Sequence, residues 1–213
     1  MSIRLNVGCG PIQPEGWVNI DNSNRAKLAA NLPWLNQWLV WLKVFPPTEY
    51  NNKTSPIDIR KTLPFDGESV SAVYCGEVLE HLIYPEGLFF LKECFRILIP
   101  GGILRVRVPD NYDFWKNYCC EYEQTHSLPR EKWNEGHTRW IDMFFRDICI
   151  KRPWFGSMGH YHKWMYDEIS LVLMFEKVKF INVERKGYHE SGIPEIDLIE
   201  VRGDLQVEGV KPK

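Results

Sequence analysis

The chain has 213 residues, of which 44% are hydrophobic and 25% are charged, and this composition excludes disordered and fibrous proteins. Its formal net charge of −2 argues against a generally basic nucleic-acid-binding protein, so we expect no nucleic-acid partner. No apolar run reaches the roughly 18 residues of a transmembrane segment and no signal peptide precedes the first strand, so we expect a cytoplasmic protein with reduced cysteines.

Short apolar runs alternate with helical patterns along the chain. The patterns predict seven strands, at 3–7, 17–21, 56–59, 70–74, 103–108, 178–183 and, antiparallel, 205–210. They predict helices at 76–83, 88–98, 112–123, 139–148 and 169–175. Alternating strands and helices indicate an α/β fold, with a largely parallel sheet between two helical layers. We expect one domain over 1–213, with an apolar helical insertion at 24–54 and an aromatic-rich insertion at 111–165.

The first insertion contains a helical segment, 28–45, almost without a polar face. We expect this helix to be buried against the sheet or over the active site. Homodimer contact is the second interpretation and a membrane-surface helix the third, because such helices usually have a basic face and Lys43 alone could form one.

The second insertion lies in the most aromatic part of the chain, since residues 111–180 hold 16 of the 29 aromatic residues. A pocket there would suit a sugar ring or another flat apolar group. Trp115, Trp140, Trp154 and Trp164 could provide the stacking faces, although large aromatic residues belong more often to a core.

A glycine-rich turn, Gly8-Cys9-Gly10, leaves the first strand, and Asp21 ends the second. This arrangement is typical of nucleotide-like ligands, because glycines let the backbone approach an anionic group and a carboxylate accepts both ribose hydroxyls. A nicotinamide dinucleotide is disfavoured, since Gln13 stands where the third glycine of that motif belongs and Asp21 comes too early.

Five segments, in order over residues 3–110, resemble the motifs of class I S-adenosylmethionine (SAM)-dependent methyltransferases. They are Leu5–Gly10, Asn19–Asp21, Asp58–Ile59 with Leu63–Phe65, Val73–His81 and Leu98–Gly102. The chain is most similar to the methyltransferase type 11-like enzymes, in the small branch associated with cell-surface glycan biosynthesis. The resemblance implies a Rossmann-like fold with SAM as cofactor.

The resemblance also implies roles for single residues around that cofactor. Gly8, Cys9 and Gly10 would face the methionine part, and Asp21 would bind the ribose diol.

Asp58 and the Ile59 amide would bind the adenine ring, with a turn-capping role for Asp58 as the alternative. Cys75 and Gly76, at the carboxyl end of the fourth strand, would close the crevice where the strand order reverses.

Two features depart from the family pattern. Asn6 stands where an acidic residue is usual, so backbone carbonyls would recognise the cofactor amino group. Six residues separate Gly10 from Trp17, whereas a parallel crossover normally takes a dozen or more. We therefore expect an extended or single-turn loop that leaves one face of the first strand uncovered, with 28–45 as the missing cover.

Methyl transfer requires an aligned nucleophile and removal of its proton. The candidate bases are His162 and His160, followed by His137 and Asp110; hydrogen-bonded histidines in an aromatic core are the structural alternative.

Glu77, Glu80 and His81 would share one helix face, resembling the ExxEH of quinone-biosynthesis O-methyltransferases, where a divalent metal has been implicated. We favour helix-start complementation over metal binding, and expect no metal among the site residues.

The sequence therefore predicts methyl transfer from SAM to an oxygen, less favourably a nitrogen, of a glycan or small-metabolite acceptor. A non-catalytic binding or scaffold protein of the same fold is the main alternative, and an NAD-dependent enzyme is a weaker one.

Overall fold

A computed structural model describes residues 3–45, 54–144 and 161–213. Its strands are β1 (Ile3–Val7), β2 (Val18–Ile20), β3 (Val70–Gly76), β4 (Leu98–Val108), β5 (Ile181–Lys186) and β6 (Leu205–Val210). Its α-helices are α1 (Asn24–Asn31), α2 (Pro33–Trp41), α3 (Tyr84–Ile97), α4 (Asn111–His126), α5 (Thr138–Phe144) and α6 (Glu168–Lys177). Short 3₁₀ helices occupy Leu79–His81, Arg130–Lys132 and Ile196–Leu198.

The strands form one sheet in the order β2-β1-β3-β4-β6-β5. The pairs β1–β2, β1–β3 and β3–β4 are parallel, and β6 runs antiparallel to both β4 and β5, as expected for the last strand. The mostly parallel, Rossmann-like α/β sheet is confirmed. The described residues form six strands rather than seven.

The strand predicted at 56–59 is replaced by a single parallel bridge between Ile20 and Ser55. Ser55 exchanges two backbone hydrogen bonds with its neighbours, donating to Asn19 and accepting from Asp21. Pro56 has no N–H to continue the ladder, and the amide of Ile57 donates back to the Ser55 carbonyl. Pairing therefore ends after one residue.

One face of the sheet holds the main hydrophobic core. Alternate residues of β3 and β4, among them Val73 and Val106, point to this face and pack against α3 and α6 through side chains such as Phe90 and Phe175. All four are buried.

The opposite face is covered without a long helix. Tyr74 packs there against Trp17 and the segment 193–199, which supplies three buried isoleucines, and Ile12 adds to this cluster. As expected, residues 11–16 form no helix. The segment 28–45 does not supply the missing cover, because residues much later in the chain already occupy that face.

The apolar segment forms two short helices rather than one, because Pro33 begins α2. The expectation that this segment is buried against the sheet is wrong. The buried side chain of α2 is that of Asn36, whereas Trp34, Trp38 and Trp41 are more than half exposed.

The aromatic insertion builds α4 and α5, neither of which has a fully buried residue. The two helices meet through edge-to-face rings, with Phe114 of α4 lying 5.5 Å from Trp140 of α5. Trp154 and His160 lie outside the described residues. Among the described helices, none combines the length and apolar character that a membrane span needs.

Candidate functional site

Two cavities adjoin at the carboxyl ends of β1 and β3. The switch-point cavity, of about 450 Å³, is lined by residues following β1 and β2 together with Asp58, Ile59 and His81. The aromatic cavity, of about 380 Å³, is lined by Glu80, Phe114, His162 and neighbouring side chains. Glu77 lines both, so two ligands bound in these cavities would face each other across its position.

The glycine turn after β1 forms one wall of the switch-point cavity through Gly8. Gly8 has a φ of +71°, and a Cβ at this position would overlap Val78. The amides of Gly8 and Cys9 both donate to the Ile20 carbonyl, at 2.8 and 3.1 Å, so they tie the turn to β2.

Cys9 and Gly10 do not line the cavity, contrary to the expectation that all three turn residues face the ligand. The Cys9 side chain is buried, and burial raises the pKa of its thiol to about 12. The Gly10 amide donates to the Asp21 carboxylate at 3.0 Å. Both residues therefore stabilise the turn on the side that faces away from the cavity.

Asp21 lines the switch-point cavity at the end of β2. Its carboxylate accepts from the Gly10 amide at 3.0 Å and from the Ser23 amide at 2.7 Å. A carboxylate offers about four acceptor positions, so capacity for two hydroxyl donors remains.

Asp58 and Ile59 line the same cavity. The Asp58 carboxylate accepts two side-chain bonds from Arg60, both of 2.8 Å, and one from the Arg60 amide at 3.1 Å. The Arg60 guanidinium lowers the pKa of Asp58 to about 2. The turn-capping alternative considered for Asp58 is therefore present in the fold, alongside its place in the cavity wall.

Cys75 and Gly76 do not line either cavity, although they were expected to close the crevice. Cys75 is fully buried in the core, and the Tyr74 ring packs over Gly76. The wall is formed by the next two residues, Glu77 and Val78.

The helix predicted at 76–83 is replaced by a turn and the 3₁₀ helix Leu79–His81. Glu77 has a φ of +57°, which no α-helix residue adopts, and its carboxylate pairs with Arg202 rather than facing Glu80. The shared helix face of Glu77, Glu80 and His81 therefore does not exist.

Glu80, His81 and His162 instead form a cluster in which one oxygen or nitrogen atom from each side chain lies within 4.8 Å of the others. The imidazole rings of His81 and His162 meet edge to face at 5.2 Å. His81 Nδ1 lies 3.2 Å from the Tyr161 carbonyl, so in the neutral ring this nitrogen carries the proton.

The Glu80 carboxyl is almost completely buried, and neither of its oxygens has a hydrogen-bond partner among the described residues. Burial, followed by the nearby Glu77 charge, raises the pKa of Glu80 to about 8. Donor atoms of this kind and spacing could hold a divalent cation, which would have to displace the proton of this carboxyl. The arrangement favours proton handling.

Backbone hydrogen bonds place His162 beside this cluster. The Glu80 carbonyl accepts from the amides of Lys163 at 2.7 Å and Trp164 at 3.2 Å. Farther along the same segment, the Tyr166 carbonyl accepts from the Asn111 amide at 2.8 Å. The segment is thereby anchored at 163–164 and at 166, and His162, which immediately precedes the first anchor, lines the aromatic cavity.

The other candidate bases are less well placed. His137 lies among Tyr118 and Tyr122 on the α4–α5 surface and lines neither cavity. Asp110 lines the aromatic cavity, but its carboxylate caps α4 and lies 3.0 Å from Arg185.

The aromatic cavity includes Trp164 but not Trp115 or Trp140, which pack behind Phe114. The described part of its lining includes four carboxyl groups, those of Glu77, Glu80, Asp110 and Asp204, beside Arg202 and His162. The sequence analysis did not identify Arg202 and Asp204 as cavity residues, because no local sequence pattern links the loop before β6 to the end of β3. The wall that Glu77 and His81 form could have been found, because both lie in the motif after β3.

Asn6 does not line the switch-point cavity. Its side-chain amide donates to the Ile12 carbonyl at 2.8 Å and to the Asn19 side chain at 3.0 Å. Asn6 thus holds the short connection between β1 and β2.

Comparison with known proteins agrees with this architecture. Residues 43–106 match a family model described as a methyltransferase domain. A SAM-dependent methyltransferase from Archaeoglobus fulgidus has a TM-score of 0.54 and 11% identity, over 99% of this chain and 86% of that one. A SAM-dependent methyltransferase from Thermotoga maritima, described as a possible histamine N-methyltransferase, has a TM-score of 0.51 and 15% identity, over 99% and 82%.

No curated protein sequence matches the chain at a significant level. The match over 43–106 and the shared fold support a SAM-dependent methyltransferase, and the chain has the class I methyltransferase fold.

Proposed function

We propose that the protein methylates a hydroxyl oxygen of a sugar or related polyol, with SAM in the switch-point cavity and the acceptor in the aromatic cavity. The observation that supports this most directly is the junction of the two cavities at Glu77, with His81 on one side and His162 on the other. A methyl donor and an acceptor need such adjoining sites, because the reacting atoms must be aligned about 3 Å apart.

Gly8, Asp21, Asp58 and Ile59 would hold the cofactor. The Asp21 carboxylate has acceptor capacity for the ribose hydroxyls, and the absence of a side chain at Gly8 leaves room for Val78, which lines the cavity with it. A cavity of about 450 Å³ is within the usual size of small-molecule sites. Bound SAM supplies a methyl group on a positively charged sulfur, already activated for transfer.

The lining of the aromatic cavity favours a neutral, hydroxyl-rich acceptor. Carboxyl groups such as those of Asp110 and Asp204 accept hydrogen bonds from hydroxyls, while Phe114 and Trp164 offer apolar faces to ring carbons. Among the described residues of this cavity, four carboxyl groups beside one arginine disfavour a phosphorylated acceptor.

His162 would take the proton of the attacking hydroxyl. It lines the aromatic cavity and lies beside Glu80, whose buried carboxyl can exchange a proton with it at neutral pH. His160 remains a candidate outside the described residues.

An amine acceptor is the second candidate, because the same carboxyl groups would attract a cation. Methyl transfer from radiolabelled SAM to a panel of neutral sugars and a panel of small amines separates the two. Activity confined to amines would overturn the oxygen assignment, and binding of cofactor without transfer to any acceptor would favour the non-catalytic alternative.

The Asp21→Ala variant tests the cofactor site. We expect its dissociation constant for S-adenosylhomocysteine, measured by calorimetry, to rise at least about tenfold, because a hydrogen-bonded charged acceptor contributes roughly 1.5–3 kcal/mol. Asp66→Ala is the matched control, since Asp66 is an exposed acid that lines neither cavity. Equal affinities in the wild type and Asp21→Ala, at unchanged unfolding midpoints, would contradict the ribose role.

A further inference from the structure

The helix α2 exposes large apolar side chains to solvent. A helix on the surface of a globular protein normally buries its apolar side and exposes its polar side. In α2 the side chain of Asn36 is buried and those of Leu35, Leu39 and Val40 are half-buried, while the tryptophans are exposed: Trp34 66%, Trp38 51% and Trp41 75%. The helix is therefore apolar on both sides, and the side formed by the tryptophans faces away from the protein.

The three tryptophans form one stripe. At about 100° per residue, positions 34, 38 and 41 fall within an arc of roughly 60°, and Asn36 lies on the other side of the helix. Leu42 and Val44, which follow the helix, are also exposed, so the apolar surface continues past its end.

The helices α1 and α2 form a hairpin, residues 24–45, and the net charge of this hairpin is positive. Between Asn22 and Thr48 the sequence contains Arg25, Lys27 and Lys43 and no acidic residue, although acids outnumber bases in the whole chain. The Arg25 guanidinium lies 5.1 Å from the centre of the Phe45 ring, which joins the end of the hairpin to α1. A row of tryptophans in a segment whose charged residues are all basic is complementary to an anionic lipid surface, where indole rings occupy the headgroup region.

The size of the stripe argues against a second copy of the chain as its occupant. Nine helical residues extend about 14 Å at a width of about 10 Å, so the face covers roughly 150 Å², whereas a stable interface buries about 800 Å² per partner. Insertion into the interface of a bilayer does not need such an area. Each indole ring moves from water into the headgroup region separately, and basic residues add an attraction to anionic lipids.

We propose that the α1–α2 hairpin, residues 24–45, binds the surface of an anionic lipid bilayer through Trp34, Trp38 and Trp41. Asn22, Ser23 and Asn24, which precede and begin α1, line the switch-point cavity. Attachment by the hairpin therefore holds the methyl-transfer site close to the headgroups. This inference stands on the hairpin alone and does not depend on the acceptor proposed above.

Co-sedimentation of the full chain with lipid vesicles tests the proposal. We expect binding to vesicles of equimolar phosphatidylcholine and phosphatidylglycerol, with a shift of tryptophan fluorescence to shorter wavelength, and weaker binding to phosphatidylcholine alone. The triple variant Trp34→Gln/Trp38→Gln/Trp41→Gln should lose at least about tenfold in partitioning. Lys27→Gln/Lys43→Gln should lower binding to the anionic vesicles towards the level of the neutral ones.

Trp133→Gln is the matched control, because Trp133 is half exposed, lies outside the hairpin and should leave partitioning unchanged. Thermal unfolding of each variant establishes that its fold is retained, and the Lys27→Gln/Lys43→Gln pair provides the test if the triple variant is unstable. Absence of wild-type binding to both vesicles, or equal binding of wild type and triple variant, would overturn the proposal. Dimerisation in sedimentation velocity that the triple variant abolishes, without vesicle binding, would also overturn it and assign the face to a second copy.

Discussion

The carboxyl group of Glu80 is buried away from water, in a site that also contains the imidazoles of His81 and His162. Its burial makes ionisation costly, and the nearby Glu77 charge adds to that cost. A group with this environment is typical of sites that transfer protons rather than of structural ion pairs. The sequence placed Glu80 beside His81 but gave no sign that its side chain would be enclosed.

The raised pKa of Glu80 predicts a particular dependence of stability on pH. The unfolded chain releases this proton near pH 4.3 and the folded chain near pH 8, so between these values the folded state binds more protons and stability falls as pH rises. Glu80→Gln, which cannot ionise, should therefore be more stable than the wild type at pH 8, by an amount on the order of a few kcal/mol, and nearly equal to it at pH 4.

Urea unfolding of wild type and Glu80→Gln across this pH range is the measurement. Glu123→Gln, an exposed acid of α4, provides the control and should follow the wild-type curve. A constant difference between wild type and Glu80→Gln at every pH would show that Glu80 ionises normally.

His162→Ala should lower the rate of methyl transfer about a hundredfold or more while the affinity for S-adenosylhomocysteine stays within about twofold, because general bases contribute 10²–10⁴-fold to rates. His162 lines the aromatic cavity and not the switch-point cavity, so removal of its ring spares the cofactor wall. His126→Ala, at an exposed position outside both cavities, is the control. Full activity of His162→Ala would remove it as the base.

At the scale of elements, a buried ion cluster fixes the irregular cover of the sheet. Arg105 of β4 is completely buried, and its guanidinium forms two hydrogen bonds of 2.9 Å with Glu200 and lies 3.4 Å from Glu208. It also donates to the carbonyls of Gly187 and Glu190, at 3.0 and 2.8 Å. One side chain thus holds the segment 187–200 against a face that no long helix covers.

Arg105→Met should destabilise the protein by about 3–5 kcal/mol, because it leaves buried carboxylates without their partner. The double variant Arg105→Met/Glu200→Gln should recover part of this loss, since it removes one of those charges. Arg139→Met, which breaks an exposed pair with Glu121, should cost less than about 1 kcal/mol. Equal unfolding free energies for Arg105→Met and Arg139→Met would contradict the role of the cluster.

The sequence predicted the elements whose signals are local. Strand β6, helix α6 and the loop after Gly10 follow from periodicity and spacing within a few residues. The predictions of elements failed where a single residue changed the course of the backbone. Pro56 ends the pairing of a predicted strand, and the positive φ of Glu77 interrupts a predicted helix. The cavity walls contributed by 202–204 could not be predicted, because tertiary packing brings them to β3 from more than a hundred residues away.

At the scale of the whole molecule, the two cavities lie at the centre of the sheet, between β1 and β3. The strand order runs from β1 to β2 on one side of this point and from β3 to β4 on the other. Ligands of open α/β sheets bind at such positions, because the loops that leave the carboxyl ends of the strands separate there. The identity of the ligand in the switch-point cavity therefore decides between a methyltransferase and a nicotinamide enzyme, both of which this sheet architecture can accommodate.

Ligand-dependent unfolding makes that distinction with the intact protein. S-adenosylhomocysteine at a hundred times its dissociation constant should stabilise the folded state by about 2.7 kcal/mol, because it binds the folded chain alone. For a chain of this length that corresponds to a rise in the unfolding midpoint of about 5–10 °C. NAD at the same concentration should leave the midpoint unchanged, since the dinucleotide motif is incomplete at Gln13. Asp21→Ala should reduce the rise in the unfolding midpoint that S-adenosylhomocysteine causes. A rise with NAD and none with S-adenosylhomocysteine would instead assign the cavity to NAD.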